Sequence, residues 1–461
     1  MIFNKINKKV YIFGLGVSGM NLALELNRGV CEILCWDDDK NKRMEARKML
    51  LKVVPDNRIK YEELDYLVLT PGMKSTGPSL HLVVIKARKS GTKIISDIEF
   101  LRFLKEKKFI IGVTGTNGKS TTTKFIESCL SDEKSNALAC GNIGIPVTTD
   151  NLRNINGELI VEASSFQLER IDQLKFDIAI LLNIYMDHLD WHNNMNSYIN
   201  AKLKIFRNQD KTCFSIICID DQYCKNVAET FCKNYKGKLI TIGSSDSSAD
   251  ITLSIRDNSI EINNNILESV LKLKKDNLNF TLGKHNYQNL LAAYTVHFLV
   301  KKDNSFIKKI NKFRNLEHRI EFVKRIENIC FFNDSKSTNI HSAMTALDSL
   351  ENNLWLLGGR KKLGDFPELE KYSKKIIHAF VFGESKKELE IELKKYPIKI
   401  MLCRDIEEAL ETAFKYGINL KTKINILFSP ACSSFDQFEN FTERGKFFKN
   451  LVQKKYEKYY S

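Results

Sequence analysis

The chain has 461 residues, 43% of them hydrophobic and 28% charged, with 22 glycines and 7 prolines. At roughly 150 residues per domain this is about three domains, and the composition excludes a collagen-like repeat, a Pro/Gly-rich disordered chain and a small disulfide scaffold. The net charge of +15 is spread along the whole chain rather than gathered in one stretch, so phosphate-bearing small molecules are expected as partners, not nucleic acid.

Short apolar runs alternate with helical patterns, which predicts α/β domains built on parallel sheets. The first block has strands at 10–13, 33–36, 66–69 and 93–95; the second at 109–113, 159–161, 177–183, 214–219 and 238–242. Residues 249–268 alternate apolar and polar around Asp257-Asn258 and Asn263-Asn264, predicting an antiparallel hairpin insertion, and a helix over 284–300 closes this block. Strands at 329–332, 354–357, 379–382, 398–402 and 424–428 make a third block. Counting βα units gives domains 1–98, 99–314 and 315–461. No apolar run reaches the ~18 residues of a membrane helix. The apolar stretch after Lys8-Lys9 is interrupted by Asn21, Glu25 and Asn27, so it reads as a strand and helix rather than a signal peptide. The 11 cysteines include no C-x-x-C pair, which fits a reducing cytoplasm.

The strongest local signal is Gly112-Val-Thr-Gly-Thr-Asn-Gly-Lys-Ser-Thr121, between a strand and a helix. Such a loop cradles phosphate with backbone N–H groups and a helix N-terminus. Lys119 would reach the β/γ-phosphates, and Ser120 or Thr121 would ligate Mg²⁺. The usual G-x-x-x-x-G-K-[ST] spacing fails by one position, because Val113 stands five before Gly118. Gly14-Leu-Gly-Val-Ser-Gly19, with Asp37 after the next strand, fits a dinucleotide, another diphosphate ligand or a plain tight turn. Glu162 and the Asp187-His188-Leu-Asp190-Trp-His192 run end strands of the same block, which suits Mg²⁺ between phosphates. A zinc reading of His188 and His192 lacks a third strong ligand. His81, His297, His341 and His378 stand singly and read as packing or surface residues. Glu317-His318-Arg319, Asn333–Thr338 and Ser429–Phe438 put polar side chains at strand ends of the third block, without naming a ligand.

In this order, these motifs resemble the Mur ligases, and most of all their D-glutamate-adding members. Thr70-Pro-Gly72, Gly141-Asn-Ile-Gly144, Glu162–Glu169, Ala201-Lys-Leu203 and His285-Asn286 extend the match over nearly the whole chain. The Ser429–Phe438 segment is the part most specific to the D-glutamate enzymes. The resemblance implies a Rossmann-like UDP-binding domain, a central ATPase domain and a C-terminal Rossmann-like domain. It implies ATP-driven amide formation through an acyl phosphate, adding D-glutamate to UDP-N-acetylmuramoyl-L-alanine for peptidoglycan. Val17, Ser18, Asp37, Asp38, Gly72, Asn142 and His188 would hold the UDP-linked substrate. Gly115, Thr116, Asn117, Gly118, Lys119, Ser120, Thr121, Asn286, Arg319 and Asp334 would bind ATP. Ser120, Glu162, His188 and a carbamylated Lys202 would serve two Mg²⁺ ions. Lys119, His188, Lys202 and Lys336 would be catalytic, while Thr338, Lys362, Ser434, Phe435 and Phe441 would receive D-glutamate. A cytoplasmic monomer is implied. Asp39 stands where the family often has Arg, Glu317 where proline is usual, Ala163 for Leu, and Trp191 for a basic residue.

Overall fold

The computed structural model describes the chain except residues 1–2, 5, 71, 76–79, 134, 143–145, 148–151, 153–154, 245–247, 257–258, 275–284, 314–316, 362–368, 421 and 456–461. Three sheets follow one another along the chain. The first contains β1 (Lys9–Phe13), β2 (Glu32–Trp36), β3 (Tyr66–Leu69) and β4 (Lys93–Ile95), all parallel, in the order β2-β1-β3-β4.

The second sheet holds β5 (Ile110–Thr114), β6 (Leu138–Gly141), β7 (Leu159–Glu162), β8 (Ile178–Leu181), β9 (Phe214–Cys218), β10 (Lys238–Gly243), β11 (Ile251–Arg256), β12 (Ser259–Asn264) and β13 (Ser269–Lys274). Its order is β13-β12-β11-β10-β9-β8-β5-β7-β6, which puts β5 between β7 and β8. Each residue of β5, β7 and β8 is buried, as expected of parallel strands covered on both faces. The third sheet holds β14 (Glu321–Ile326), β15 (Ile329–Asn333), β16 (Asn353–Gly358), β17 (Ile376–Phe382), β18 (Ile400–Leu402) and β19 (Ile424–Phe428), in the order β14-β15-β19-β16-β17-β18. It is parallel apart from β14, which pairs antiparallel with β15.

The α/β class is as expected, and three strands were not. β6 is only four residues with a single Leu at its start; β13 (Ser-Val-Leu-Lys-Leu-Lys) and β14 (Glu-Phe-Val-Lys-Arg-Ile) mix apolar residues with charged ones. The expected hairpin is therefore a three-stranded meander, β11 and β12 pairing antiparallel and β12 with β13 likewise. Its first turn, Asp257-Asn258, lies outside the described residues. The helix expected over 284–300 is His285–Val300, with residue 284 outside the description.

The chain divides into two compact units. One comprises Met1–Ile184, Leu189–Asn277 and Gln288–Asn311; the other Tyr185–His188, Leu278–Tyr287 and Lys312–Ser461. In the first unit one apolar cluster joins both sheets, taking in Phe3, Ile12 and Val68 with Leu159, Val161 and Phe176. In the second, alternate residues of β16 serve opposite faces: Trp355 and Leu357 pack in one cluster, Leu354 and Leu356 in the other.

Candidate active site

β5 ends in the glycine-rich loop, and the helix Lys119–Leu130 begins directly after it. Gly118 caps that helix at φ +85°, and a Cβ there would clash with Asn289 Oδ1, so only glycine fits. Asn183, past the end of β8, fixes the loop. Its backbone carbonyl accepts from Thr116 N (2.9 Å), its Oδ1 accepts from Asn117 N (2.8 Å), and its Nδ2 donates to the Asn117 carbonyl (3.2 Å). Gln288 accepts from Asn183 Nδ2 at 3.1 Å, and Asn289 accepts from Thr122 Oγ1 at 3.0 Å. Asn183 and Asn289 thus set the loop's shape, roles that spacing alone did not reveal.

Two ammonium groups converge on one carbonyl. Lys119 Nζ donates to the Gly115 carbonyl (2.9 Å) and to that of Thr116 (2.8 Å). Lys202 Nζ donates to the same Gly115 oxygen at 2.7 Å. Lys202, on the helix Met195–Leu203, is 2% exposed, and its ammonium sits 4.5 Å from the Tyr198 ring centroid. Like charges so placed repel one another. On the neighbouring strand, Glu162 stands beside Val113 in register and is buried. Its Oε1 accepts from Asn142 Nδ2 at 3.1 Å, while Oε2 is buried with no partner, as is Thr121 Oγ1. Ser120 is buried at the same helix start. Orphaned carboxylate and hydroxyl oxygens are the donors a hard divalent cation takes. Among the described residues no three His, Cys, Asp or Glu side chains converge as a ready-made metal site.

In the first sheet, Asp37 at the end of β2 accepts from Leu15 N (2.6 Å) and Asp39 N (2.8 Å). The glycine loop is thereby tied to β2. Asp38 is exposed, with Trp36 Nε1 at 3.3 Å on one oxygen and His81 Nε2 at 3.3 Å from the other. Val17, 70% exposed, and half-buried Ser18 open the helix Val17–Leu26; Gly72 and Asn142 are exposed at the ends of β3 and β6. Asp39, the departure from the family's Arg, caps the helix Lys40–Lys48 by accepting from Asn41 N. Trp191 packs on Phe166 with centroids 4.3 Å apart, Ala163 is fully buried, and exposed Glu317 pairs with Lys449.

The second unit gathers the later motifs. Asp334, after β15, is fully buried; burial pushes its carboxyl up to about 7 against a hydrogen bond from Ser429 Oγ (2.7 Å) and the charge of Arg319. Lys336 lies 5.5 Å from the Phe441 ring centroid, Ser434 is buried, Phe435 is 66% exposed and Thr338 half-buried. Asn286 is buried at the start of its helix. His188, in the Tyr185–His188 stretch of this unit, has φ +54° and lies 3.5 Å from Asp187 Oδ2. Lys362 lies outside the described residues. Sequence reasoning missed Arg444, which is 1% exposed on the helix Phe441–Lys455. Its Nη2 donates to the Ser335 carbonyl (2.8 Å), its Nε to Ser335 Oγ (3.1 Å) and its Nη1 to the Cys432 carbonyl (3.0 Å). One guanidinium therefore clamps the 333–338 loop to the 429–438 loop.

A family model of the Mur ligase middle domain matches residues 113–297. The chain is 36% identical to the UDP-N-acetylmuramoylalanine--D-glutamate ligase of Rickettsia bellii, over 97% of this chain and 98% of that one. It is 32% identical to the ligase of the same name from Caldicellulosiruptor saccharolyticus, over 96% and 98%. The fold matches the UDP-N-acetylmuramate-alanine ligase of Thermotoga maritima at a TM-score of 0.58 and 20% identity, covering 97% of this chain and 99% of that one. It also matches the MurF ligase of Thermotoga maritima in complex with ADP, at a TM-score of 0.58 and 16% identity, over 86% and 97%. With relatives above 30% identity along nearly its entire length, the chain belongs to the Mur ligase family, among the UDP-N-acetylmuramoylalanine--D-glutamate ligases.

Proposed function

We propose that the chain ligates D-glutamate to UDP-N-acetylmuramoyl-L-alanine at the expense of ATP, as the names of its full-length relatives describe. The observation that carries this reading is the convergence of Lys119 and Lys202 on the Gly115 carbonyl, with the orphaned Glu162 oxygen at the adjacent strand end. A carboxylate is a poor acyl donor. Its attack on the γ-phosphorus of ATP breaks the bond to ADP and gives an acyl phosphate; the amine of D-glutamate then attacks the acyl carbon, loses a proton and expels phosphate.

Each step gathers negative charge where the loop ends, and fixed donors there stabilise it most. The 115–121 loop would bind the ATP phosphates, with Lys119 turning from its carbonyls to the transferring phosphoryl group. Mg²⁺, held by Glu162, Ser120 or Thr121, and His188, would neutralise the same charge. A carbamate on Lys202 would replace one of two crowded cations with an anion that supplies oxygen ligands. The Gly115 carbonyl, which accepts from Nζ, would still take the N–H of that group.

Asn286, Arg319 and Asp334 would contact ATP and Lys336 the reacting end, with D-glutamate received by Thr338, Lys362, Ser434, Phe435 and Phe441. Val17, Ser18, Asp37, Asp38, Gly72 and Asn142 would take the UDP-linked substrate. Boundaries at 98 and 314, a monomeric state and a cytoplasmic location complete the proposal; among the described residues no helix is long and apolar enough to cross a membrane. The test is phosphate release with UDP-N-acetylmuramoyl-L-alanine across a panel of amino acids. D-glutamate alone should support turnover, and preference for L-alanine or a diamino acid would overturn the assignment.

A further inference from the structure

The first unit contains a buried arginine that neither the glycine loops nor the metal-ligand reasoning accounts for. β7 delivers Glu162, and after it Ser164 and Gln167 form a capping box on the helix Ser165–Leu168. Arg170 follows directly and is 4% exposed. Its Nε donates to the Phe166 carbonyl at 3.0 Å, which fixes the guanidinium against its own helix. Its Nη1 reaches the first sheet, donating to the carbonyls of Leu69 (3.1 Å) and Thr70 (3.4 Å) at the carboxyl end of β3. Its Nη2 is buried without a partner.

Arginine is seldom buried without a hydrogen-bonded carboxylate. Glu169 and Asp97 act on Arg170 only through their charge, and burial outweighs them, lowering its pKa to about 10. A costly cation has thus been placed against two backbone carbonyls at the edge where parallel sheets bind ligands. What it holds there is Thr70. The Thr70 side chain packs against the first glycine loop, so closely that a Cβ on Gly14 or on Gly19 would clash with it. Gly72, proposed to meet the UDP-linked substrate, is two residues on.

The rest of the seam is anchored separately. Glu99 accepts from Asp172 N, Gln173 N and Leu174 N at 2.9, 2.9 and 3.2 Å, and Gln167 Nε2 donates to Asp97 at 3.0 Å. Removing Arg170 therefore leaves the two sheets joined while freeing the β3 end.

We infer that Arg170 is a positioning residue for the UDP-linked substrate, holding Leu69-Thr70 so that the 14–19 loop and Gly72 keep their register with the Glu162 strand. The inference rests on the proposed ligase reading. Arg170→Met keeps the volume of the side chain's stem and removes the fork; Arg170→Lys keeps the charge but reaches fewer acceptors. In the full-length enzyme, Arg170→Met should raise the KM for UDP-N-acetylmuramoyl-L-alanine about 10-fold and leave that for ATP within about 2-fold, with Arg170→Lys between. The Kd for UDP-N-acetylmuramoyl-L-alanine, measured by calorimetry, should rise in parallel. Equal rises in both KM values, or a lower Tm with both unchanged, would make Arg170 merely structural and overturn the inference. If Arg170→Met does not fold, the Arg170→Lys KM ratio decides in the same way. Wild-type enzyme assayed alongside separates the two readings: if it does not turn over UDP-N-acetylmuramoyl-L-alanine with D-glutamate, it is the ligase reading that fails.

Discussion

Arg444 offers the sharpest test of how the second unit is held. Its guanidinium makes three donations into two loops and is 1% exposed, and burial lowers its pKa to about 10. Replacement by alanine strands the carbonyls of Ser335 and Cys432 away from water, at about 1–3 kcal/mol each, and leaves a void where the side chain lay. The two carbonyls alone sum to about 2–6 kcal/mol, with a midpoint of about 4 kcal/mol. With a urea slope of about 2 kcal/mol/M, the midpoint for this unit should fall by about 2 M. The assay is urea unfolding of the full chain followed by two probes, because two compact units need not unfold together. Trp355 lies in the same unit and reports on it directly. Arg444→Lys should recover part of the loss, since an ammonium reaches one carbonyl but cannot bridge both loops. A midpoint within about 0.3 M of wild type for Arg444→Ala would refute the clamp.

Lys119→Ala, in a protein whose unfolding midpoint is unchanged, should slow ligation by on the order of 100-fold or more, the loss typical of one preorganised charge stabiliser. Lys202→Ala should abolish most turnover, and small carboxylates added to the assay should restore part of it; restoration by none, with wild-type-like activity, would remove the carbamate. Burial holds the His378 imidazole below its ordinary value, and both ring nitrogens are without partners. The folded state therefore prefers it neutral: its contribution to stability is present above the unfolded pKa of about 6.5 and is lost as pH falls through the depressed folded value. Asp334 has the opposite sign. Raised to about 7, it contributes stability that is complete below the unfolded value and is lost as pH rises through 7. Urea midpoints across pH should show His378→Phe flattening the acid limb and Asp334→Asn the alkaline one.

The parallel strands other than β6 were legible because they are short apolar runs with no competing period: β8 is Ile-Ala-Ile-Leu and β16 ends in Leu-Trp-Leu-Leu-Gly, whereas β6 is Leu-Ala-Cys-Gly. β13 and β14 were not, because they lie at sheet edges, where lysine or arginine on the outward face dilutes the pattern. The glycine-rich loop between β5 and its helix was legible from Gly115, Gly118 and Lys119, whose pattern is local. Asn183 and Asn289 shape that loop from 66 and 167 positions away from their partners Asn117 and Thr122, a relation no spacing rule encodes. Arg170 and Arg444 were missed for a related reason. A lone arginine in a polar stretch reads as surface, and only the fold shows what surrounds it. The Asp39 departure was visible as a mismatch, whereas its role as a helix cap required the structure.

The apolar cluster shared by the first two sheets decides where the chain can be severed. A fragment ending at residue 98 would present Phe3, Ile12 and Val68 without Leu159, Val161 and Phe176 to cover them. It would aggregate rather than fold. The Lys312–Ser461 stretch carries two clusters that close among its own residues. Limited proteolysis should therefore liberate a soluble C-terminal piece and never a soluble N-terminal sheet, and a truncated protein made to study the first sheet must keep the central sheet attached.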